Sequence, residues 1–314
     1  MYLAQASTEG VHVDTIFAVL VGLSTLIAVG VFTTIIYFIW KYRRGAAANR
    51  SNPPAQNTGL EFLWITILLV LGLIMFTWAA SQYFNMANPP ANALEIFVVG
   101  KQWMWKFEHP EGQSEISDLH VPVGRAVKLT MISQDVIHSF FIPDFRVKQD
   151  VLPGRYTSLW FQATTPGNYN INCTQYCGTD HSEMGGRVIA MDPQAYQQWL
   201  AGSGQISAAQ PVSFSLAEAG QKLFNASGCP ACHTSNGAQQ PVGPSLAGLY
   251  GSHVRLADGT TATADESYLR DSILVPARQV VTGYKPIMPT YQGQLSEEQT
   301  LELIAYIKSQ GAGQ

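Results

Sequence analysis

Residues 173–184 read CTQYCGTDHSEM, and this short segment places two cysteines, a histidine and a methionine at regular intervals. The spacing is C-x-x-x-C-x-x-x-H-x-x-M, formed by Cys173, Cys177, His181 and Met184. His138 lies 35 residues earlier, in DVIHSFFIP. Thiolate and thioether ligands favour copper among the available metals, and imidazole suits copper as well. A mononuclear blue-copper site needs only one cysteine, so the second thiolate predicts a bridge between two copper ions.

Two other interpretations of this segment stay open at the level of the residues. Cys173 and Cys177 are close enough in sequence to form a disulfide in an oxidising compartment. Cysteine and histidine ligands also build closed structural zinc sites. Neither alternative accounts for Met184 and His138 together, so we favour the dinuclear copper site.

The sequence before this segment has the pattern of an all-β domain. Residues 94–107, LEIFVVGKQWMWKF, are rich in β-branched and aromatic residues, and Val127, Leu129 and Met131 alternate on one strand face. Pro-Gly turns punctuate the later runs. Short strands separated by such turns predict a sandwich or small barrel. We assign residues 91–200 to this domain.

The first 90 residues predict a transmembrane hairpin. Residues 15–40 form a run of 26 residues without charge, and residues 62–80 form a second run of 19. A spanning helix needs about 20 apolar residues. We therefore predict helices at about 15–41 and 60–86. A signal peptide is disfavoured because the basic n-region is missing and the apolar run is too long. Buried helices of a soluble protein are the remaining alternative.

The loop between the two runs predicts the orientation. It contains Lys41, Arg43, Arg44 and Arg50, and no acidic residue before Glu61. Short basic loops stay on the cytoplasmic side. We therefore expect a two-pass protein of a prokaryotic plasma membrane, in contact with lipid, with both termini and both later domains on the outer side.

The overall composition agrees with a chain that lies partly in lipid. Charged residues make up 13% of the 314 residues, about half the usual share for a soluble protein. The formal net charge is -4. A nucleic-acid-binding protein usually carries a basic excess, so no nucleic-acid partner is expected.

The last third begins with an uncharged stretch, AGSGQISAAQPVS, which predicts a flexible linker at 201–213. A flexible chain of this length spans roughly 20 Å root-mean-square. After it comes Cys229-Pro-Ala-Cys232-His233, the C-x-x-C-H pattern of covalent haem attachment. A thioredoxin-like C-x-x-C is the competing interpretation. The helical pattern LAEAGQKLFNASG before the motif favours haem.

Later residues complete the haem-binding pattern. Met288 lies 55 residues after His233 and is followed by proline, and SEEQTLELIAYIKSQ has the features of a terminal helix. Residues 214–314 therefore resemble a class I cytochrome c, an all-α fold. This resemblance implies His233 and Met288 as axial ligands, with the Pro244 carbonyl orienting His233. Met288 as a core residue, and His253 as the sixth ligand, are the alternatives. Methionine–histidine ligation raises the haem potential.

Residues 10–195 resemble the CuA subunit, subunit II, of cytochrome c oxidase. Three segments carry the resemblance: Trp103-Met104-Trp105, the VIHSF segment around His138, and the K-x-D-x-x-P-G-R segment at 148–155. The resemblance implies a cupredoxin-like Greek-key barrel for the β domain. It also implies that Cys173 and Cys177 bridge two coppers and that His138 and His181 each bind one. The weak ligands would be Met184 and the backbone carbonyl of residue 175.

One position departs from the family pattern. The family has glutamate where this chain has Gln175, and the family glutamate side chain also binds magnesium at the border with subunit I. A neutral amide is a poorer ligand for a hard cation, so we expect the magnesium site to be doubtful while copper binding survives.

Three further residues have a functional and an ordinary interpretation. The family resemblance implies that an aromatic residue of the pair Trp103 and Trp105 accepts electrons from the external donor; alternatively both are core residues, and we expect them to share one strand face. Glu61 matches a family glutamate near a proton path into subunit I. The alternative is an acidic residue placed favourably at a helix N-terminus.

The combined resemblance predicts subunit II of a caa-type haem–copper oxidase with a fused cytochrome c. Electrons would pass from a soluble donor through haem c and CuA to haem a of subunit I, where oxygen is reduced to water, with proton pumping. Subunit III is a further expected partner. A membrane-anchored electron carrier outside any oxidase is the alternative. A nitrous-oxide-reductase-like protein lacks support because no histidine-rich catalytic domain is present, and a quinol-oxidase subunit would lack the copper ligands.

Overall fold

The computed structural model describes residues 5–49, 51, 57–202, 215–235, 237 and 242–311. It begins with two long helices, α1 (Thr8–Lys41) and α2 (Thr58–Ala87). Both are long and apolar enough to cross a membrane, and their most apolar windows contain no buried residue. Surfaces this apolar are stable only against lipid or other membrane helices.

Helix α1 begins seven residues before the predicted start at residue 15. The prediction followed the uncharged run, but the helix start is decided by a cap. The Ser7 hydroxyl accepts a hydrogen bond from the Gly10 amide at 2.9 Å and donates one to the Phe145 carbonyl at 2.9 Å. Arg146 adds two hydrogen bonds to the Asp14 carboxylate, at 2.8 and 2.9 Å. The first two turns of α1 are thus anchored to the following domain.

The middle domain is a cupredoxin-like sandwich of two five-stranded sheets within the described residues. The first sheet has the order β3-β2-β1-β5-β8 and the second the order β4-β10-β9-β6-β7. The strands are β1 (Leu94–Lys101), β2 (Met104–Glu108), β3 (Ser114–Ile116), β4 (Asp118–Pro122), β5 (Ala126–Ser133), β6 (His138–Ile142), β7 (Val147–Val151), β8 (Thr157–Gln162), β9 (Gly167–Cys173) and β10 (Gly185–Met191).

Successive side chains of β1 point to opposite faces of the sheet, so they enter two different apolar clusters. Leu94, Ile96 and Val98 point into the sandwich, where they join the core of both sheets. Phe97 and Val99 point to the opposite face, yet they are also buried, with exposed fractions of 5% and 1%. The outer face of this sheet is therefore covered, and the helical domain covers it.

A short helix, α3 (Pro193–Gly202), follows the sandwich and packs on β4. It continues through residues 201 and 202, which the sequence prediction had assigned to the linker. The aromatic side chains of Tyr196 and Trp199 stack and hold the helix against the sheet. The rest of the predicted linker, 203–213, lies outside the described residues.

The C-terminal domain is built around helices α4 (Leu216–Ala226), α5 (Glu266–Leu274) and α6 (Glu297–Ser309). It also contains a two-stranded hairpin of β11 (His253–Arg255) and β12 (Thr261–Thr263), which the sequence analysis did not include. Helices α4 and α6 cross at very short range. A Cβ atom built on Gly220 would lie 1.9 Å from the Glu302 carbonyl oxygen, so only glycine fits this crossing.

Candidate metal and haem sites

The sandwich topology brings the predicted copper ligands to one end of the second sheet. His138 is the first residue of β6, and Cys173 is the last residue of the neighbouring strand β9. Cys177 and His181 lie in the loop between β9 and β10, and Met184 immediately precedes β10. Antiparallel pairing of β6 with β9 thus brings His138 close to the cysteine loop, which begins 35 positions later in the sequence at Cys173.

The side chains converge on the two sulfur atoms. The Sγ atoms of Cys173 and Cys177 lie 3.8 Å apart and are not bonded to each other. His181 Nδ1 lies 3.4 Å and Met184 Sδ lies 3.6 Å from the Cys177 sulfur. On the other side, the Cys173 sulfur lies 3.3 Å from the backbone carbonyl oxygen of Gln175. The donor atoms predicted from the sequence therefore surround one small volume.

The two ring nitrogens of His138 have different surroundings: one faces the paired sulfurs, and the other contacts a carboxylate. Its Nε2 atom lies 2.8 Å from the Asp135 carboxylate. Its Nδ1 atom is buried and has no hydrogen-bond partner in the described part of the chain. Ligand atoms of His138, Cys173 and Cys177 all lie within 4.8 Å of one another. A buried nitrogen without a partner is costly unless a ligand binds it, so the residues present fit a metal ion.

The two cysteines have opposite pKa shifts. Burial raises the pKa of the Cys173 thiol, but the adjacent His138 imidazole and contacts with the backbone outweigh burial and lower the pKa to about 6. Burial and the neighbouring Cys173 thiolate raise the pKa of Cys177 to about 12. Cys173 is therefore the thiol that ionises first, and its negative charge opposes the ionisation of Cys177. A cation is needed to keep both sulfurs ionised, which is the form that binds metal.

Two residues that the sequence analysis did not single out hold the cysteine loop in place. The Gln102 side-chain amide donates a hydrogen bond of 2.7 Å to the Cys177 carbonyl. Asp135 accepts a hydrogen bond from the Gln102 backbone amide at 2.8 Å while it contacts His138. An acidic residue three positions before a predicted ligand histidine was the available signal for Asp135. No local sequence pattern could have indicated Gln102, because the residue it contacts, Cys177, lies 75 positions away in the sequence.

The two tryptophans do not share one environment, contrary to the expectation from strand alternation. Trp105 lies within β2, is fully buried, and packs edge-on against His138 with ring centroids 5.8 Å apart. Trp103 lies in the turn before β2, is partly exposed, and donates from Nε1 to the Cys177 carbonyl at 3.3 Å. The expectation is wrong because β2 begins at Met104, so the period of two does not extend to residue 103.

Asp135→Asn tests the role of the carboxylate behind His138. The substitution keeps the size of the side chain but removes the negative charge that fixes the histidine tautomer. Partners of this kind typically contribute 10–100-fold to metal affinity, so we expect copper affinity to fall about tenfold in a competition titration against a copper chelator. Asp118→Asn, at an exposed ion pair with Arg187, is the matched control. Equal affinities of the two variants would contradict the assignment.

The helical domain contains a cavity of about 400 Å³ with a largely apolar lining. Its walls include every residue that the sequence analysis predicted for haem binding: Cys229, Cys232, His233, Pro244 and Met288. Apolar side chains from α4, α5 and α6 complete the walls, among them Phe224, Leu269 and Leu303. An apolar cavity with two thiols at its edge fits a covalently attached porphyrin.

The histidine of the C-x-x-C-H motif is oriented by the backbone. His233 Nδ1 lies 2.8 Å from the Pro244 carbonyl oxygen, so this nitrogen is the donor and Nε2 takes no part in the contact. Gly243 allows the approach, because a Cβ atom there would lie 2.9 Å from the His233 ring and 2.8 Å from the Cys232 carbonyl. His253 lies outside the cavity, exposed in β11, with Thr263 Oγ1 at 3.4 Å from its ring.

Comparison with known proteins identifies the family. The family model described as "Cytochrome C oxidase subunit II, periplasmic domain" matches residues 113–191, and the model "Cytochrome c" matches residues 217–311. Cytochrome c oxidase subunit 2 of Synechocystis is 30% identical over 62% of this chain and 74% of its own length. The chain belongs to the cytochrome c oxidase subunit 2 family. Two further subunit 2 proteins are similar. That of Alkalihalophilus pseudofirmus is 29% identical over 90% of this chain and 83% of its own length. That of Thermostichus vulcanus is 30% identical over 68% of this chain and 81% of its own length.

Family membership places the two sites in context. A subunit 2 domain implies a CuA centre in the sandwich, and a cytochrome c domain implies haem c in the cavity. The protein is a component of an oxidoreductase complex and associates with subunit I. Its two apolar helices and periplasmic-type domain fit a two-pass membrane protein. The prediction of subunit II with a fused cytochrome c domain is thereby confirmed.

Proposed function

We propose that this chain receives electrons for a caa-type cytochrome c oxidase and delivers them to subunit I. The observation that supports the proposal is that the donor atoms predicted for two sites lie together in one chain, one group around the sulfurs of Cys173 and Cys177 and the other around the cavity that contains His233. When bound, haem c and CuA supply two electron-carrying centres between an external donor and haem a. Oxygen reduction to water and proton pumping would be carried out by the assembled complex, with the oxygen chemistry in subunit I.

The proposed copper ligands follow from the contacts around the two sulfurs. Cys173 and Cys177 would bridge the ions through sulfurs already 3.8 Å apart. His138 would bind through its unpaired Nδ1, and His181 through the nitrogen that faces Cys177. Met184 and the carbonyl of Gln175 lie beside different cysteines and would be the weak ligands. The site would thus contain two bridging thiolates, two imidazoles, one thioether and one carbonyl.

The proposed haem ligands follow in the same way. Cys229 and Cys232 would hold the porphyrin covalently, His233 would bind the iron through Nε2, and Pro244 fixes the ring by accepting from Nδ1. Met288, on the cavity wall, would be the second axial ligand. The largely apolar lining of the cavity suits a buried porphyrin.

The proposed orientation has the loop between α1 and α2 in the cytoplasm and both redox domains outside. Glu61 lies in the first turn of α2, at the loop end of that helix, so this orientation would put it on the cytoplasmic side, where protons enter the complex. We propose it as the residue near the proton path. Trp103, partly exposed beside the Cys177 carbonyl, is a better candidate than the buried Trp105 for accepting electrons from a soluble donor.

The proposal also includes a magnesium ion at the border with subunit I and a third subunit. The exposed side chain of Gln175 is a neutral amide, so a magnesium ion at the border with subunit I would depend mainly on ligands from subunit I. Subunit III is expected to be a component of the complex.

Metal and haem analysis of the detergent-purified chain tests the function, together with visible and EPR spectra. Two coppers per covalent haem, with a mixed-valence signal shared by both ions, is the expected result. Co-purification with a large membrane subunit separates an oxidase subunit from a free-standing electron carrier. One copper or zinc without a shared signal would contradict the CuA assignment.

A further inference from the structure

The fused cytochrome domain lies on the outer face of the first sheet. Phe97, Val99, Ile132 and Tyr156 of the sandwich belong to one buried apolar cluster with side chains of α4, α5 and α6. All four are at most 9% exposed. Polar contacts cross the same boundary nearby, from Lys106 to Glu298 at 3.5 Å and from Arg270 to the Gly154 carbonyl at 3.4 Å.

Four charged side chains form an interdomain ion network at this boundary: Glu95 and Lys128 from the sandwich, and Glu266 and Lys308 from the cytochrome domain. Lys308 lies 2.5 Å from Glu95 and 2.8 Å from Glu266. Lys128 lies 2.8 Å from Glu95 and 3.7 Å from Glu266. Each lysine therefore contacts one carboxylate of its own domain and one of the other domain, and the signs alternate around the network.

The network is largely removed from solvent, and each charge depends on the others. The four side chains are between 12% and 22% exposed. Burial would raise the pKa of Glu266, but the charges of Lys308 and Lys128 outweigh it and lower the pKa to about 2. Burial would lower the pKa of Lys308, but Glu95 and Glu266 reverse the direction. Partly buried charges of this kind are strongly destabilising when a partner is lost.

We propose that Lys308 and Glu266 are positioning residues for electron transfer: through the interdomain ion network they hold the cytochrome domain in one docked orientation on the β1–β5 face. The inference rests on the proposed function, since it concerns the path between haem c and CuA. The alternating charges specify the orientation, because only one register places each lysine between two carboxylates. Electron tunnelling falls steeply with distance, so a fixed orientation sets the transfer rate.

Charge exchange within one domain gives a sharp test. The double variant Glu95→Lys with Lys128→Glu keeps the ion pair inside the sandwich and the net charge of the chain, but makes both contacts across the boundary repulsive. Glu266→Lys with Lys308→Glu does the same from the cytochrome side. The quadruple variant makes all four contacts attractive again. All variants are made in the full chain loaded with copper and haem.

Two measurements are made on each variant. The first is the rate of electron transfer from haem to copper after pulsed reduction. The second is hydroxyl-radical footprinting of Phe97 and Tyr156, which does not depend on electron transfer. Phe161, fully buried inside the sandwich, serves as the folding control and should stay protected in every variant.

We expect both double variants to slow the transfer by about tenfold or more and to expose Phe97 and Tyr156. The quadruple variant should recover both the rate and the protection. Rates within twofold of the unchanged chain in the double variants would overturn the proposal, as would a quadruple variant as slow as the double variants. If the unchanged chain shows no transfer while Tyr156 is protected, the proposed function fails although the docked arrangement stands.

Discussion

Cys177→Ser is expected to abolish the shared copper signal while the haem spectrum stays unchanged. The Cys177 sulfur lies at the centre of the predicted ligands, within 3.8 Å of the Cys173 sulfur, the His181 ring and the Met184 sulfur. A serine hydroxyl is a hard donor that does not ionise near neutral pH, so it cannot replace a bridging thiolate for copper. We expect the copper content to fall from two ions to one or none, and transfer from haem to copper to be lost.

Thr179→Ala is the control for this substitution, because Thr179 is an exposed residue of the same loop. Copper content is measured by elemental analysis against covalent haem, and the shared signal by EPR. A Cys177→Ser chain that retains two coppers with a delocalised signal would show that the bridge has been assigned to the wrong residue.

Gly220→Ala is expected to prevent stable folding of the cytochrome domain while the copper domain remains intact. The new methyl group would lie 1.9 Å from the Glu302 carbonyl oxygen and 2.9 Å from the Tyr306 Cβ. Helices α4 and α6 would have to separate, which opens the wall of the haem cavity that α6 forms with Leu303 and Ile307. Overpacking of this severity costs roughly 3 kcal/mol or more, despite the better helix propensity of alanine.

The measurement is the yield of covalent haem per chain, with thermal unfolding followed in the haem absorbance. Gly202→Ala is the matched control, since a Cβ on that helical glycine has no neighbour within 4 Å. A normal haem yield and an unchanged unfolding midpoint in Gly220→Ala would mean that the two helices do not cross as closely as described.

Several features of this protein were predictable from the sequence because they depend on neighbouring residues. The two apolar runs show their length and composition directly, and the C-x-x-C-H motif is contiguous by chemical necessity. The segment 173–184 carries most of the predicted copper ligands at spacings that a single loop can bring together. The helix starts were less predictable: the first depends on a Ser7 cap whose hydroxyl also contacts Phe145, on a strand connection far along the chain.

The tertiary structure decided what depends on long-range pairing. His138 meets the cysteine loop only because β6 pairs with β9, and Asp135 and Gln102 acquire their roles through that meeting. A one-residue difference in where β2 begins separates Trp103 from Trp105. The composition of residues 201–213 predicted a linker, but it gave no sign of the ion contacts that join Glu95 and Lys128 to Glu266 and Lys308. Such contacts join residues up to 213 positions apart, and no local pattern of hydrophobicity or charge encodes them.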